Sequence, residues 1–205
     1  MNLLKLLFNR QALTDTGVAA ELDTEEAYLG LSGIERLRKT TSSDQVHIVD
    51  TGADARDMAI KLSRLWSQQH RRGEFGLIST NTAVPGATHV PRNDLKALHA
   101  AVDAHTVAII LQPLSSADLT PTARAYYLGA EKLCRELKIL LVLDDTRAGL
   151  GRREALLCES RCGIRADMVV LGSGVDGGSS MAAVLQRSAP RAVTALPEHW
   201  GAVAA

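Results

Sequence analysis

Six short apolar runs punctuate the chain: VHIV at 46–49, FGLIS at 75–79, VAIIL at 107–111, ILLVL at 139–143, MVVL at 168–171 and AAVL at 182–185. Longer stretches lie between them in which apolar residues return every three or four positions, the spacing of a helix with one buried face. Strands alternating with helices predict an α/β domain around a mostly parallel sheet. Runs that are apolar at every position predict strands covered on both sides, hence a three-layer α/β/α arrangement.

Two helices are placed by their ends as well as by their period. The first opens at TGAD, with Thr51 as N-cap and Asp54 three residues on to complete a capping box. Its apolar stripe is Met58, Leu62, Leu65 and Trp66, and it is expected to stop near Gly73. The second runs over 122–137, burying Tyr126, Ala130, Leu133 and Leu137, and feeds directly into the ILLVL strand. Residues 1–45 carry no such period. A short edge strand or hairpin around 28–31 and a charged, solvent-facing stretch at ERLRKTTSSDQ are the expectations there, with one domain over 46–205. The opening MNLLKLLFNR is too short to span a bilayer. It suits an organellar presequence or an amphipathic helix with Leu3, Leu4, Leu7 and Phe8 on one face.

Composition narrows the partners. With 205 residues, 46% hydrophobic and 22% charged, the chain can build one sizeable core. Basic and acidic residues balance at 23 each, so no electrostatic footprint marks a nucleic acid or an anionic membrane as partner. Aromatic residues, at 3%, are too sparse to build a stacking platform for single strands. Three cysteines, Cys134, Cys158 and Cys162, make no disulfide framework and suit the reducing cytoplasm. Cys158 and Cys162 lack a second ligand pair at zinc spacing, so no metal is expected.

Three segments carry chemistry. HIVDTGAD turns a strand into a helix start whose amides, at Thr51, Gly52 and Ala53, suit an anion or simply a capped helix. LLVLDDTRAGLGRRE puts Asp144 and Asp145 at the carboxyl end of a buried strand, where open α/β sheets carry ligand groups. Asp145 has Arg147 and Arg152 within reach as surface partners, whereas Asp144 is harder to explain as surface. ADMVVLGSGVDGG delivers a glycine-rich loop with Ser173 at its centre. Gly172, Gly174 and Gly177 also spell a dinucleotide fingerprint, with Glu198 at about the distance expected of its ribose ligand. Against that reading, too little chain follows to complete a Rossmann unit, and it contains Pro190 and Pro197. A hydrolase elbow is excluded because Ser173 lies in Gly-Ser-Gly.

Taken together and in order, the motifs resemble the class III (ornithine and ω-amino acid) aminotransferases, pyridoxal-phosphate enzymes of fold type I. VDTGADARDMAIKLSR is similar to the family's small-Gly-x-Glu-Ala helix start. YYLGAEKLCRELKILLVLDDTRAGLGR resembles its helix, strand and Asp-Glu-x-Gln-x-Gly-x-Gly-Arg segment, and ADMVVLGSGVDGG its lysine loop. The likeness covers about 46–185 in aggregate. It implies the large domain of that fold, with Thr51, Gly52 and Ala53 at the phosphate cup and Asp144 opposite the pyridinium nitrogen.

The same resemblance implies losses. Ser173 stands where the family has its Schiff-base lysine, and a hydroxyl cannot form an aldimine. Val84 stands for the ring-stacking aromatic, Gln112 for a glutamate and Arg147 for a glutamine. No other lysine is a convincing replacement: Lys61, Lys96 and Lys132 read as helical, Lys138 precedes a strand, and Lys5 and Lys39 lie in the unpatterned N-terminal part. LPEHWGAVAA lacks the expected Ser-Thr, and the family's C-terminal small domain has no counterpart in these 205 residues. The expectation is therefore a catalytically inactive aminotransferase-like protein. It would be a regulatory or scaffolding subunit in a homodimer or beside an intact aminotransferase, with no catalytic residue and no firm cofactor. The alternative is an enzyme holding pyridoxal phosphate without a covalent link through Thr51, Gly52, Ala53 and Asp144. A third reading, an unselected remnant, predicts no cooperative melting.

Overall fold

The computed structural model describes residues 33–113, 120–146, 157–172 and 182–187. In chain order these hold α1 (Gly33–Thr40), β1 (Gln45–Val49), α2 (Gly52–His70), β2 (Gly76–Ser79), β3 (Ala87–His89), α3 (Leu95–Ala101), β4 (Thr106–Leu111), α4 (Pro121–Leu137), β5 (Leu140–Asp144), α5 (Cys158–Cys162), β6 (Met168–Leu171) and β7 (Ala182–Gln186). The described strands form one sheet in the order β1-β7-β6-β5-β4-β2-β3. Strands β3, β2, β4, β5 and β6 run parallel, while β7 is antiparallel to both its neighbours, β6 and β1.

Every apolar run noted in the sequence is a strand, to within a residue at its ends. Strand alternation sorts their side chains onto two faces. Leu141 and Leu143 of β5 join Leu37 of α1, Leu98 of α3, Tyr126 of α4 and Cys162 of α5 on one face. Leu140 and Val142 join Ala55, Leu62 and Trp66 of α2 on the other. Helices on both sides of a mostly parallel sheet give the expected α/β/α layers. Strand β3 was not legible, being three residues long and, among the described strands, paired only to β2.

Helix α2 begins as expected. Thr51 caps it, and the reciprocal bonds with Asp54 are both present. Its buried stripe is built from small residues, Ala55, Ala59, Ser63 and Ser67, beside Leu62 and Trp66, which lets the helix sit close on β6 and β7. Met58 and Leu65 are only half-buried, and the helix stops at His70, before Gly73. Helix α4 starts one residue earlier than expected, on Pro121, with Thr120 accepting the Ala123 N–H at 3.2 Å. Leu137, expected inside, is exposed: the helix ends there because Lys138 adopts a left-handed φ of 53°, and Ile139 takes the inward place.

Helix α1 also departs from expectation, since part of the charged ERLRKTTSSDQ stretch packs inward. Leu37, Thr41 and Ser43 are buried. The expected strand around 28–31 and the amphipathic face of Leu3, Leu4, Leu7 and Phe8 lie outside the described residues. Among the described residues no helix is long and apolar enough to cross a membrane.

A buried ion pair ties α1, α5, β6 and β7 together. Arg187 Nη1 and Nη2 each donate to a Glu159 carboxylate oxygen at 2.5 Å, and also donate to the carbonyls of Ala166 and Thr41 at 3.0 and 3.1 Å. Both side chains are over nine-tenths buried. Removing one partner strands the other charge, so Glu159→Ala is expected to lower stability by about 3–5 kcal/mol, read from the urea unfolding midpoint.

Candidate functional site

Four neighbouring parallel strands end on the same side of the sheet, and each delivers a residue there. Asn81 follows β2 by two residues, Gln112 follows β4, Asp144 is the last residue of β5, and Gly172 follows β6. The turn before α2 completes the group. Gly52 approaches β5 and β6 so closely that a Cβ would lie 3.3 Å from Thr146 Cγ2 and 3.5 Å from Gly172 Cα. A Cβ on Gly172 would be tighter still, 3.1 Å from the Thr146 backbone, so the end of β6 passes the turn after β5 at a distance that suits glycine.

Asp144 is the centre of this group and has no exposed surface. Its Oδ2 accepts from Asn81 Nδ2 at 3.1 Å and Gln112 Nε2 at 3.0 Å, and Arg56 Nη1 lies 3.8 Å away. Its Oδ1 accepts from the Thr146 hydroxyl at 2.6 Å and the Thr146 N–H at 3.2 Å. The donors are held in turn. Asn81 Oδ1 accepts from the Ala83 N–H, Ser79 pins the Asn81 backbone, and Gln112 Oε1 accepts from Arg92 at 3.3 Å.

Asp145, one residue on, faces the opposite layer. It is buried, and Oδ2 accepts the Cys158 N–H at 3.0 Å while Oδ1 has no hydrogen-bond partner among the described residues. Burial, chiefly, raises its pKa from an ordinary 3.8 to about 7; the charges of Asp144 and Glu159 add to the rise, and the Cys158 N–H and Arg161 oppose it. Cys158 and Cys162 are buried free thiols with sulfurs 3.8 Å apart. Among the described residues no group of three or more His, Cys, Asp or Glu is placed to hold a metal ion.

The structure therefore brings Gly52, next to Thr51 and Ala53, up to the strand ends that carry Asp144. Thr51 and Ala53 are exposed, and the Asp54 carboxylate already sits at the helix start, taking the Thr51 N–H at 3.0 Å. Ser173, Arg147 and Arg152 lie outside the described residues. Val84 is buried in the apolar cluster of Ala55 and Ala59. Each described lysine (Lys39, Lys61, Lys96, Lys132 and Lys138) is on the surface.

Comparison with known proteins gives the fold a family. A family model described as aminotransferase class III matches residues 80–203, more than half of the chain. The chain belongs to the class III aminotransferases. Acetylornithine aminotransferase 2 of Bordetella pertussis is 30% identical, with 81% of this chain and 49% of that protein covered. Ornithine aminotransferase of the same organism is 31% identical over 70% of this chain and 42% of its own. A solved ornithine delta-aminotransferase from Plasmodium falciparum superimposes with a TM-score of 0.66 at 29% identity, covering 75% of this chain and 42% of that one. The chain spans about half the length, or less, of these class III relatives.

Pyridoxal phosphate, the cofactor that the class III fold implies, asks for a carboxylate with a free lone pair facing its ring nitrogen. The described residues do not fit it. Both oxygens of Asp144 are filled by the chain's own donors, and a cation already stands beside Oδ2. Sequence reasoning found Asp144 and the α2 turn but missed Arg56, Asn81 and Thr146 as its partners. Asn81 had a usable signal, its place just past the carboxyl end of a strand. Arg56 had another, a cation one turn after Gly52 on the same helix face.

The raised Asp145 yields a pH prediction. The folded protein holds this proton more tightly than the unfolded chain, so its contribution to stability is full below about pH 4, declines through pH 4–7 and is gone above pH 7. Urea midpoints of wild type should fall with rising pH across that window relative to Asp145→Asn, at up to about 1.4 kcal/mol per pH unit. Parallel curves for the two proteins would contradict it.

Proposed function

We propose that this chain is a non-catalytic member of the class III aminotransferases that acts through association, with a second copy or with an intact aminotransferase relative. The observation that carries the reading is the closed set around Asp144, in which four neutral donors fill the carboxylate and the Arg56 guanidinium balances its charge, so that a pyridinium ring finds no unmet demand there. Ser173, at the position that matches the lysine of the family's motif, points the same way, because an alcohol cannot grip the cofactor aldehyde. The surface placement of each described lysine supports it further. Family sites lie between subunits, so a fold that keeps the sheet, the α2 turn and the strand-end cluster keeps the scaffold against which a partner is set.

The purified protein, incubated with pyridoxal phosphate and reduced with borohydride, should carry no stoichiometric lysine adduct by mass spectrometry, and should not turn over an ω-amino acid with 2-oxoglutarate. Light scattering should give a mass above the 21.9 kDa of one chain, or above that of an intact aminotransferase after mixing. Turnover, or a monomer that joins neither copy nor relative, would overturn the reading.

A further inference from the structure

We propose that Arg56 is the resident counter-cation of Asp144 and the residue that closes this site to a pyridine ring, an inference that rests on the non-catalytic reading above. The four hydrogen bonds that Asp144 accepts come from two side-chain amides, a hydroxyl and a backbone N–H, all neutral groups. They fill lone pairs but balance no charge. A fully buried carboxylate needs a cation as well, and among the described residues Arg56, 3.8 Å from Oδ2, is the one within ion-pair distance.

Its place in the helix explains how it gets there. Arg56 lies four residues after Gly52, so both share one face of α2. Helical side chains lean back toward the N-terminus, which carries the guanidinium along that face toward the strand ends. Gly52, lacking a side chain, lets the helix start lie against Thr146 and Gly172, and the guanidinium stands 3.8 Å from Oδ2. Arg56 is 25% exposed on its outer side, so it stands between solvent and a carboxylate with no exposure of its own. Arg92 extends the positive field one bond further out, through Gln112, without reaching Asp144 itself.

The test compares wild type, Arg56→Gln, Arg56→Lys, Asp144→Asn and the Arg56→Gln/Asp144→Asn double variant. One readout is equilibrium dialysis against pyridoxal 5′-phosphate and against 4-deoxypyridoxine 5′-phosphate, which has no aldehyde and so reports binding without lysine adducts. With the carboxylate charge left unbalanced, a cationic pyridinium can displace a neutral amide from Oδ2, so Arg56→Gln should bind the deoxy compound at least about tenfold more tightly than wild type, with Arg56→Lys staying like wild type and the double variant losing the gain. The second readout is the unfolding midpoint. Arg56→Gln should lower it in the Asp144 background and leave it nearly unchanged in the Asp144→Asn background.

Equal binding by wild type and Arg56→Gln, together with additive midpoints, would overturn the assignment while leaving the non-catalytic reading in place. Tight binding of the deoxy compound by wild type overturns the closure, and turnover by wild type is the separate result that sinks the non-catalytic reading. Should Asp144→Asn fail to fold, the contrast between Arg56→Gln and Arg56→Lys in dialysis still decides the matter.

Discussion

Burying a carboxylate is costly unless donors fill its lone pairs and a cation balances its charge, and the strand-end cluster is arranged around that requirement. Asp144 sits at the end of the central strand β5 with no exposed surface. Asn81 and Gln112 reach it from the ends of the next two strands, Thr146 folds back from the following turn, and Arg56 comes over from α2. Three strands and a helix are thereby held in register by one carboxylate. Two glycines serve the same close packing: Gly52 sets the helix start against Thr146 and Gly172, and Gly172 lets the end of β6 pass the Thr146 backbone.

The neighbouring carboxylate shows what happens without such company. Asp145 is as deeply placed, but alternation along the strand turns it to the other layer, where, among the described residues, a single N–H from α5 meets it. Its ionised form is disfavoured for that reason. Two adjacent acids of one type thus meet different surroundings according to which face of the sheet each side chain occupies. The ion pair of Glu159 and Arg187, also buried, follows the rule of Asp144: the guanidinium meets both carboxylate oxygens and two backbone carbonyls.

Much of this architecture was legible because strands covered on both faces leave uninterrupted apolar runs, which VAIIL and ILLVL display plainly. The capping box at Thr51 and Asp54 was equally plain, since its two residues are local. What escaped depended on distant packing. The buried stripe of α2 is carried by Ala55, Ala59, Ser63 and Ser67, residues whose smallness matters only once the sheet lies beneath them. Leu137 kept the period of α4 but fell where the chain reverses. In the site, Asp144 announced itself by following five apolar residues, whereas Arg56 looked like one more charge on a helix until Gly52 brought that helix down. Ser173 and Arg147, read from the family motif, lie outside the described residues, so the structure places neither of them.

Membership of the class III aminotransferases fixes the fold, and the chemistry of this chain's strand ends lies in its own side chains, with Asn81 and Gln112 donating to Asp144 and Val84 in the core. Whether a pyridine ring can enter depends on whether Asp144 is satisfied by its own chain. A high-resolution crystal structure grown in a large excess of pyridoxal phosphate tests this most directly. It should show Arg56, Asn81, Gln112 and Thr146 around the Asp144 carboxylate and no ring density between α2 and the strand ends; a pyridine nitrogen seated against Asp144, with Arg56 swung away, would contradict it.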